Sequence, residues 1–294
     1  MARVVVTGAG GFLGRGVCRR LAGSGWEVVA LDRSADVTDR AALVGRVSAA
    51  DAVVHLAFPT RGKARRDRPF ETLQEVLEGT SNVLQLAVGC GAVHVVIASS
   101  GKVYGPPRRL PISEDHPVAP ETQLGALKRL AESVLHDGAL AVGGAPTIGV
   151  TALRIFNVYG PGQREGFVVP RLVASLRGGG PLRLGELDHR RDYIHLEDTC
   201  AAFGTALDHP ASAGTLRVLN VGSGRTASVR ELVERLGRLA GVTPEVVQDP
   251  TRRRPDEAPE ECADVTRLRA LGWAPRVDLA EGLAALWEGR ALVP

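Results

Sequence analysis

The chain has 294 residues, 44% of them apolar, with 36 basic against 33 acidic residues and a net charge of +3. That length suits one large α/β domain, or a core domain with a smaller lobe. The near-even charge balance does not point to a nucleic-acid polymer as partner. No apolar run approaches the length needed to span a bilayer, and the N-terminus enters a strand almost at once, so no signal peptide is expected. Cys18, Cys90, Cys200 and Cys262 lack metal-ligand spacing, which predicts no metal site and reduced thiols in a cytoplasm. Of the basic residues only Lys63, Lys102 and Lys128 are lysine. Where this sequence spends a lysine, an arginine did not serve.

Val4, Val5 and Val6 form a β-branched run, as expected for a strand buried on both faces. Glycines follow at Gly8, Gly11 and Gly14, and an apolar-periodic segment runs from Phe12 through Leu13 to about Leu21. Strand, glycine turn and helix are the parts of a dinucleotide site. Gly8 allows the sharp turn, Gly11 lets a pyrophosphate approach the backbone, and Gly14 lets helix and strand pack closely. The helix then aims free N–H groups and the positive end of its dipole at the phosphates. Glu27 to Leu31 reads as the next strand, and Asp32 at its carboxyl end is placed to take both hydroxyls of an adenosine ribose. A carboxylate there repels a 2′-phosphate and favours NAD over NADP. Arg33 beside it could stack on adenine or meet that phosphate.

A short helix (Asp39 to Val47) leads to a third buried strand, Ala52 to Leu56. Phe70 to Val88 has helical spacing, Val93 to Ala98 is a fourth strand, Gln123 to about Leu135 a helix, and Val150 to Phe156 a further strand. Strands alternating with helices predict an α/β fold, a doubly wound parallel sheet of Rossmann type. Beyond Asn157, Gly160-Pro-Gly and Gly178-Gly-Gly-Pro shorten the elements. Residues 1–160 are expected to form the dinucleotide-binding domain, with the sheet rejoined within about 191–221 by Arg191 to Leu196 and by Leu216 to Val221. Residues 161–294 are expected to form mainly a small substrate-binding lobe over the strand ends, with helices near Ser228–Ala240 and Leu279–Glu288.

Taken together these motifs resemble the extended short-chain dehydrogenase/reductase family, in particular its nucleotide-sugar epimerases, dehydratases and reductases. TGAGGFLG fits the glycine loop, HLA at His55–Ala57 the segment after the third strand, and SSGKVYG at Ser99–Gly105 the serine-bearing strand end. PISEDHPVAP, LRIFNVYGPGQ, RDYIHLED, NVGSG and LGWAP follow in family order. The resemblance implies that Gly8, Gly11, Phe12, Leu13, Gly14, Asp32, Arg33, Asp36, Val37, Leu56, Ala57 and Lys128 bind the cofactor, with Asp36-Val37 touching adenine. It also implies that Asn157, Arg191 and Arg254 grip the diphosphate of a nucleoside-diphosphate sugar. The planar guanidinium fork suits that task. The helices Phe70–Val88 and Gln123–Leu135 are the pair through which members dimerise, so a homodimer is expected.

One family position is broken. Members carry a tyrosine four residues before the lysine, where it transfers the proton of the reacting hydroxyl while hydride moves to or from nicotinamide. Ser100 and Lys128 are in place, but the tyrosine position is Leu124, and Tyr104, Tyr159 and Tyr193 lie inside other motifs. Val76 stands where many members place asparagine. Lys102 occupies the position where dehydratases place a glutamate and some epimerases a cysteine, each an acid or base on a sugar carbon. A lysine there could move a proton if burial or Lys128 made its charged form costly. His116 is a weaker candidate, expected as a solvated turn residue.

The expected function is therefore an NAD-binding enzyme acting on a nucleoside-diphosphate sugar, by epimerisation or keto-sugar reduction without the usual phenol. Ser100, Lys102 and Lys128 are its catalytic set. A keto sugar suits the missing phenol, because its carbonyl already acidifies neighbouring C–H bonds. Two alternatives stay open: a catalytically silent protein that binds NAD and nucleotide sugar, or a redox-neutral lyase or isomerase on a non-sugar metabolite.

Overall fold

The computed structural model describes residues 1–32, 34–43, 45–59, 67–142, 148–252, 258–290 and 292. The first half alternates strand and helix as its periodicity requires. β1 (Arg3–Thr7) is followed by α1 (Phe12–Gly23), β2 (Glu27–Leu31), α2 (Arg40–Leu43), β3 (Ala52–His55), α3 (Pro69–Gly89), β4 (His94–Ser100), α4 (Gln123–Ala141) and β5 (Gly149–Ile155). The chain then leaves for β6 (Asn157–Tyr159), α5 (Val168–Arg177), β7 (Leu182–Leu184), β8 (Arg190–His195) and α6 (Leu196–Asp208), and returns as β9 (Leu216–Val221). The main sheet has the order β2-β1-β3-β4-β5-β9, and every pairing in it is parallel.

Alternate residues of the central strands feed two cores, one on each face. Val4, Val6, Val54, Val96 and Leu153 meet Val17 and Leu21 of α1 and Phe203 of α6. Val5, Val53, Val95, Val150 and Ala152 meet Val83 and Leu86 of α3 and Ala131 and Leu135 of α4. Helices on both faces leave the carboxyl ends of the strands as the open edge. The strand order reverses between β1 and β3, which is where such sheets take their ligands.

The tail of the chain builds a second layer from β10 (Thr226–Ser228), α7 (Val229–Ala240), β11 (Val246–Gln248), β12 (Glu260–Glu261), α8 (Thr266–Arg269) and α9 (Leu279–Glu288). Its core joins Tyr159, Leu172, Tyr193, Leu232, Leu236 and Leu283. Here the structure corrects one expectation. Leu216–Val221 rejoins the main sheet, but Arg191–Leu196 does not: β8 pairs with β10, β12 and β6 in a separate sheet. A strand between two helical layers must be apolar on both faces, and RRDYIH presents three charges in succession. Asp192 instead accepts backbone N–H bonds from Ser223 (2.7 Å), Gly224 (3.0 Å) and Ala263 (3.1 Å), tying β8 to the rim of the sheet. The division between the two parts is interleaved, since Ala263, Val265, Leu268 and Trp273 pack into the core of the main sheet. Among the described residues no helix is long and apolar enough to cross a membrane, and no cluster could hold a metal ion.

Candidate functional site

The glycine loop has the turn, the open backbone face and the close helix–strand contact that its spacing predicts. Gly8 turns with φ +69°, and a Cβ on it would come within 2.7 Å of the Ala57 backbone nitrogen, so the loops after β1 and β3 touch. A Cβ on Gly14 would fall 2.2 Å from the Gly8 carbonyl oxygen, which is the close helix–strand contact. A Cβ on Gly11 would meet only that same carbonyl, at 3.1 Å, leaving the rest of its face open. Gly11 is also the N-cap of α1 and offers no side-chain cap, so the first N–H groups of the helix around Phe12 and Leu13 point out of the loop. Backbone donors with no side chain in the way form an anion cradle.

Asp32 stands beside this loop, exposed. The Ser34 N–H bonded to its Oδ1 at 2.9 Å holds the carboxyl below its usual range, so it stays ionised. A cleft of about 540 Å³ continues from there, lined among others by Asp36, Val37, Ala57, Phe58, Val76 and Thr80. Asp36 closes its own turn by accepting from the Thr38 N–H (2.9 Å), and Asn82 Nδ2 donates to the Val37 carbonyl (2.9 Å). These bonds fix the segment predicted to touch adenine. The buried Thr80 hydroxyl has no partner among the described residues, as fits a polar ligand in that cleft. Loop, carboxylate and cleft together fit an adenine dinucleotide. Val76 lies in the cleft wall, so the change from the family's asparagine falls inside the site. Arg33 and Arg254 lie outside the described residues.

Lys128 projects from the second turn of α4. Its Nζ donates to the Ala98 carbonyl at 2.6 Å and sits 3.7 Å from the centre of the Phe58 ring. Beside it His55, whose Nδ1 is 2.9 Å from Thr7 Oγ1, is pushed down to about 3 by burial and secondarily by the Lys128 charge. The imidazole is therefore neutral. Phe58 was not anticipated from the sequence. An aromatic residue directly after HLA was the one available signal.

A second group of the predicted site residues is built on the carboxyl end of β4. Ser100 ends that strand, and its Oγ accepts the Lys102 N–H at 3.2 Å, closing a short turn over Gly101–Val103. The first turn of α4 is seated on it. Thr122 caps the helix by accepting from the Gly125 N–H (3.1 Å), and a Cβ on Gly125 would lie 2.2 Å from the Lys102 carbonyl oxygen. Leu124, one residue earlier and partly exposed, is thus adjacent to the Ser100–Lys102 turn. Lys102 reaches across to the C-terminal segment, where its Nζ donates to both oxygens of Glu261, at 2.7 and 2.9 Å. Glu261 lies beside Arg191 in the β12–β8 pairing, with Arg191 Nε 3.8 Å from its Oε2. Arg191 also donates from Nη1 to the Arg190 carbonyl at 2.8 Å, and Asn157 Nδ2 to the Asp192 carbonyl at 3.2 Å. Ser100, Lys102 and Arg191 are therefore one cluster joined through Glu261, a residue with no signal in the sequence.

None of the three tyrosines fills the place of the lost phenol. Tyr104 is buried with its hydroxyl donated to Asn220 Oδ1 (2.7 Å). Tyr159 is buried in the second layer against Gly282, and Tyr193 packs in that same core. His116 is corrected as well. It is buried rather than solvated, its Nε2 accepts the Arg108 N–H (2.9 Å), its Nδ1 is 2.9 Å from the Pro117 carbonyl, and its ring meets Tyr104 edge-on. Both nitrogens are spent on holding the loop.

Relatives agree with this geometry. Over 98% of both chains the sequence is 34% identical to a GDP-6-deoxy-D-mannose reductase of Pseudomonas aeruginosa. It is 32% identical to a UDP-glucose 4-epimerase of Azospirillum brasilense over 97% of this chain and 92% of that one. Among solved structures, RMD from Pseudomonas aeruginosa, complexed with NADPH, superposes with a TM-score of 0.88 at 32% identity over 98% of each chain. MoeE5 in complex with UDP-glucose and NAD superposes with a TM-score of 0.86 at 31% identity, covering 98% of each chain. Residues 4–222 match the family described as NAD dependent epimerase/dehydratase. The chain, an enzyme by this kinship and by its intact dinucleotide loop, belongs to the NAD dependent epimerase/dehydratase family.

Proposed function

We propose that this enzyme binds NAD(H) and a nucleoside-diphosphate sugar that already carries a keto group, and reduces or epimerises it without a phenolic proton carrier. The observation that carries this reading is the turn after β4. Ser100 and Lys102 stand together there, while the neighbouring helix presents Leu124 where the family places its tyrosine.

Gly8, Gly11, Phe12, Leu13 and Gly14 would hold the cofactor's diphosphate, Asp32 the adenosine ribose, and Asp36 and Val37 the adenine. Leu56 and Ala57 line the way to the nicotinamide ribose at Lys128. The ionised Asp32 supports NAD over NADP. The nicotinamide, when bound, supplies hydride exchange with a sugar carbon. The protein's own part is to polarise and to move protons. Ser100 donates its hydroxyl hydrogen to the sugar carbonyl oxygen, which makes the carbonyl carbon electrophilic and the adjacent C–H acidic. Lys102 transfers the proton, a task an arginine could not perform because a guanidinium does not give one up. Asn157, Arg191 and Arg254 are the residues for the sugar diphosphate.

The working unit we propose is a homodimer. Phe70 (82% exposed), Leu73 and Leu77 form an uncovered stripe on one face of α3. Phe70→Asp combined with Leu77→Arg should convert a dimer to a monomer in sedimentation, and an unchanged sedimentation coefficient would place the contact elsewhere. Free thiols at all four cysteines support the cytoplasm as its place of action.

The test of function is incubation with NAD or NADH and a panel of UDP-, dTDP- and GDP-linked sugars, including 4-keto forms. Conversion of keto forms alone is expected. Lys102→Ala should lower turnover by about 10²–10⁴-fold while NAD affinity is retained. Binding without conversion across the panel would mark a nucleotide-sugar-binding protein instead. Turnover surviving in Lys102→Ala would remove the lysine from the mechanism.

A further inference from the structure

Lys102 and Glu261 are 159 residues apart, yet they meet at the centre of the site. Their side chains are only 25% and 11% exposed, and the contact involves both carboxylate oxygens. Glu261 is held from behind by the backbone. Glu260 and Glu261 pair with Arg190 and Arg191 of β8, and the next residue, Cys262, accepts the Ile112 N–H at 2.7 Å. The carboxylate is thus delivered to the Ser100–Lys102 turn on a rigid strand rather than a loose loop.

We propose that Glu261 is a positioning residue that holds the Lys102 side chain in place beside the Ser100 turn, making Lys102 the proton donor to the reacting sugar oxygen in place of the phenol missing at Leu124. This rests on the reading of Lys102 given above and narrows it, because the side chain enters the site as an N–H donor, bonded to both oxygens of Glu261, rather than as an acceptor. An acid at this place fits keto reduction. A reduced nicotinamide, when bound, would supply the hydride to the carbonyl carbon, and the C=O π pair would move to oxygen. One N–H of Lys102 breaks, an O–H forms on the sugar, and the amine regains its proton from water.

The charged and titratable groups around the pair come from three elements: Lys102 from the turn, Glu260 and Glu261 from β12 with Cys262 directly after it, and Arg190, Arg191 and Asp192 from β8. Arg191 lies 3.8 Å from the Glu261 Oε2 that also accepts from Lys102. It shares the carboxylate's charge and can offer its fork to a substrate phosphate. A bridge that only fastened the C-terminal segment would be served equally by an arginine, in a sequence that uses arginine nearly everywhere else.

Two readouts separate a positioning role from a fastening one. The first is trace acylation of the folded protein with acetic anhydride, followed by peptide mass spectrometry. With only three lysines in the chain, the Lys63 peptide serves as internal standard. Glu261→Gln should raise the labelling of Lys102 by about ten-fold or more, since the amine is then released from the two charge-assisted hydrogen bonds that hold it to the carboxylate. The second readout is the kinetics of a UDP-linked 4-keto hexose with NADH. Glu261→Gln should lower kcat by about ten-fold or more with KM little changed. Glu261→Asp should recover part of both. Unchanged labelling and unchanged kcat in Glu261→Gln would overturn the proposal, as would a lowered Tm with kcat intact. If Lys102→Ala keeps its turnover, the reading of Lys102 itself has failed, and the inference falls with it for that separate reason.

Discussion

The two parts of the candidate site, at the ends of β1 and of β4, are built from different material. At the β1 end the site is made of backbone: a glycine at positive φ, two more whose missing Cβ atoms leave room, and the unshielded first turn of α1. At the β4 end it is made of side chains: Ser100, Lys102, Lys128, Leu124 and Glu261. The first end keeps the three glycines of its loop, and the second sets Leu124 and Lys102 beside Ser100. Backbone geometry leaves few substitutions open, because a Cβ in the wrong place meets a carbonyl. A side-chain site can trade one proton carrier for another, provided that the strands beneath it stay in register.

The largest effect expected comes from restoring the lost group. Leu124→Tyr places a phenol one turn before Lys128 on the same face of α4, and should raise NAD-linked oxidation of UDP-hexoses by about 10²-fold or more, read as NADH formation. No gain would show that the β4 end has been rebuilt around Lys102 and Glu261 rather than simply deprived of a hydroxyl. Next in size is the support under that end. Arg154 and Glu132 form a buried pair with bonds of 3.1 and 2.7 Å, and Ser99 donates to the same carboxylate. Glu132→Ala strands a buried guanidinium and should cost about 3–5 kcal/mol in urea unfolding. A loss under about 1 kcal/mol, the scale of an exposed pair, would deny it that role.

Gly14→Ala tests the backbone end. The added methyl would lie 2.2 Å from the Gly8 carbonyl oxygen and 2.6 Å from that of Ala9. The expected cost is about 1–3 kcal/mol of stability, together with loss of NAD affinity by calorimetry. Leu124→Ala should leave that affinity intact. If both variants bind NAD alike, the contrast between the two ends is wrong.

The smallest effect is spread through the fold. Burial pushes His55 down to about 3, and His94 and His195 down to about 4, from an ordinary value of 6.5. Below pH 6.5 the unfolded chain takes up protons that the folded one refuses. Their contribution is therefore complete above that pH and is lost as the pH falls toward 4, by up to about 1.4 kcal/mol per pH unit for each histidine. Burial raises Glu114, Asp192 and Asp198, which act in the opposite sense. The net slope should therefore be less than three histidines give. Urea unfolding between pH 7 and about pH 5 measures it, and His55→Gln should flatten it. An equal slope in the variant would place His55 outside the linkage.

Much of this was legible before any coordinates. The βαβ order, the jobs of Gly8, Gly11 and Gly14, and the mismatch at Leu124 each depend on residues within a few positions of one another. Arg191–Leu196 was misplaced because its Tyr-Ile-His run has strand character, while the charges at Arg190, Arg191 and Asp192 bar it from a sheet covered on both faces. His116 looked like a turn residue and became a buried brace, since its partners Arg108 and Tyr104 reach it only when the loop folds back on itself.

Short-range steric and periodic demands, written along the chain, determined the parallel sheet, its dinucleotide loop and the placing of Leu124 one turn before Lys128 on the same helix face. The tertiary structure alone decided that Glu261 faces Lys102, that Phe58 lies against Lys128 and that β8 leaves the main sheet. Each of those depends on which distant strands lie side by side, and pairing over such separations is set by packing the whole core rather than by any local run of residues.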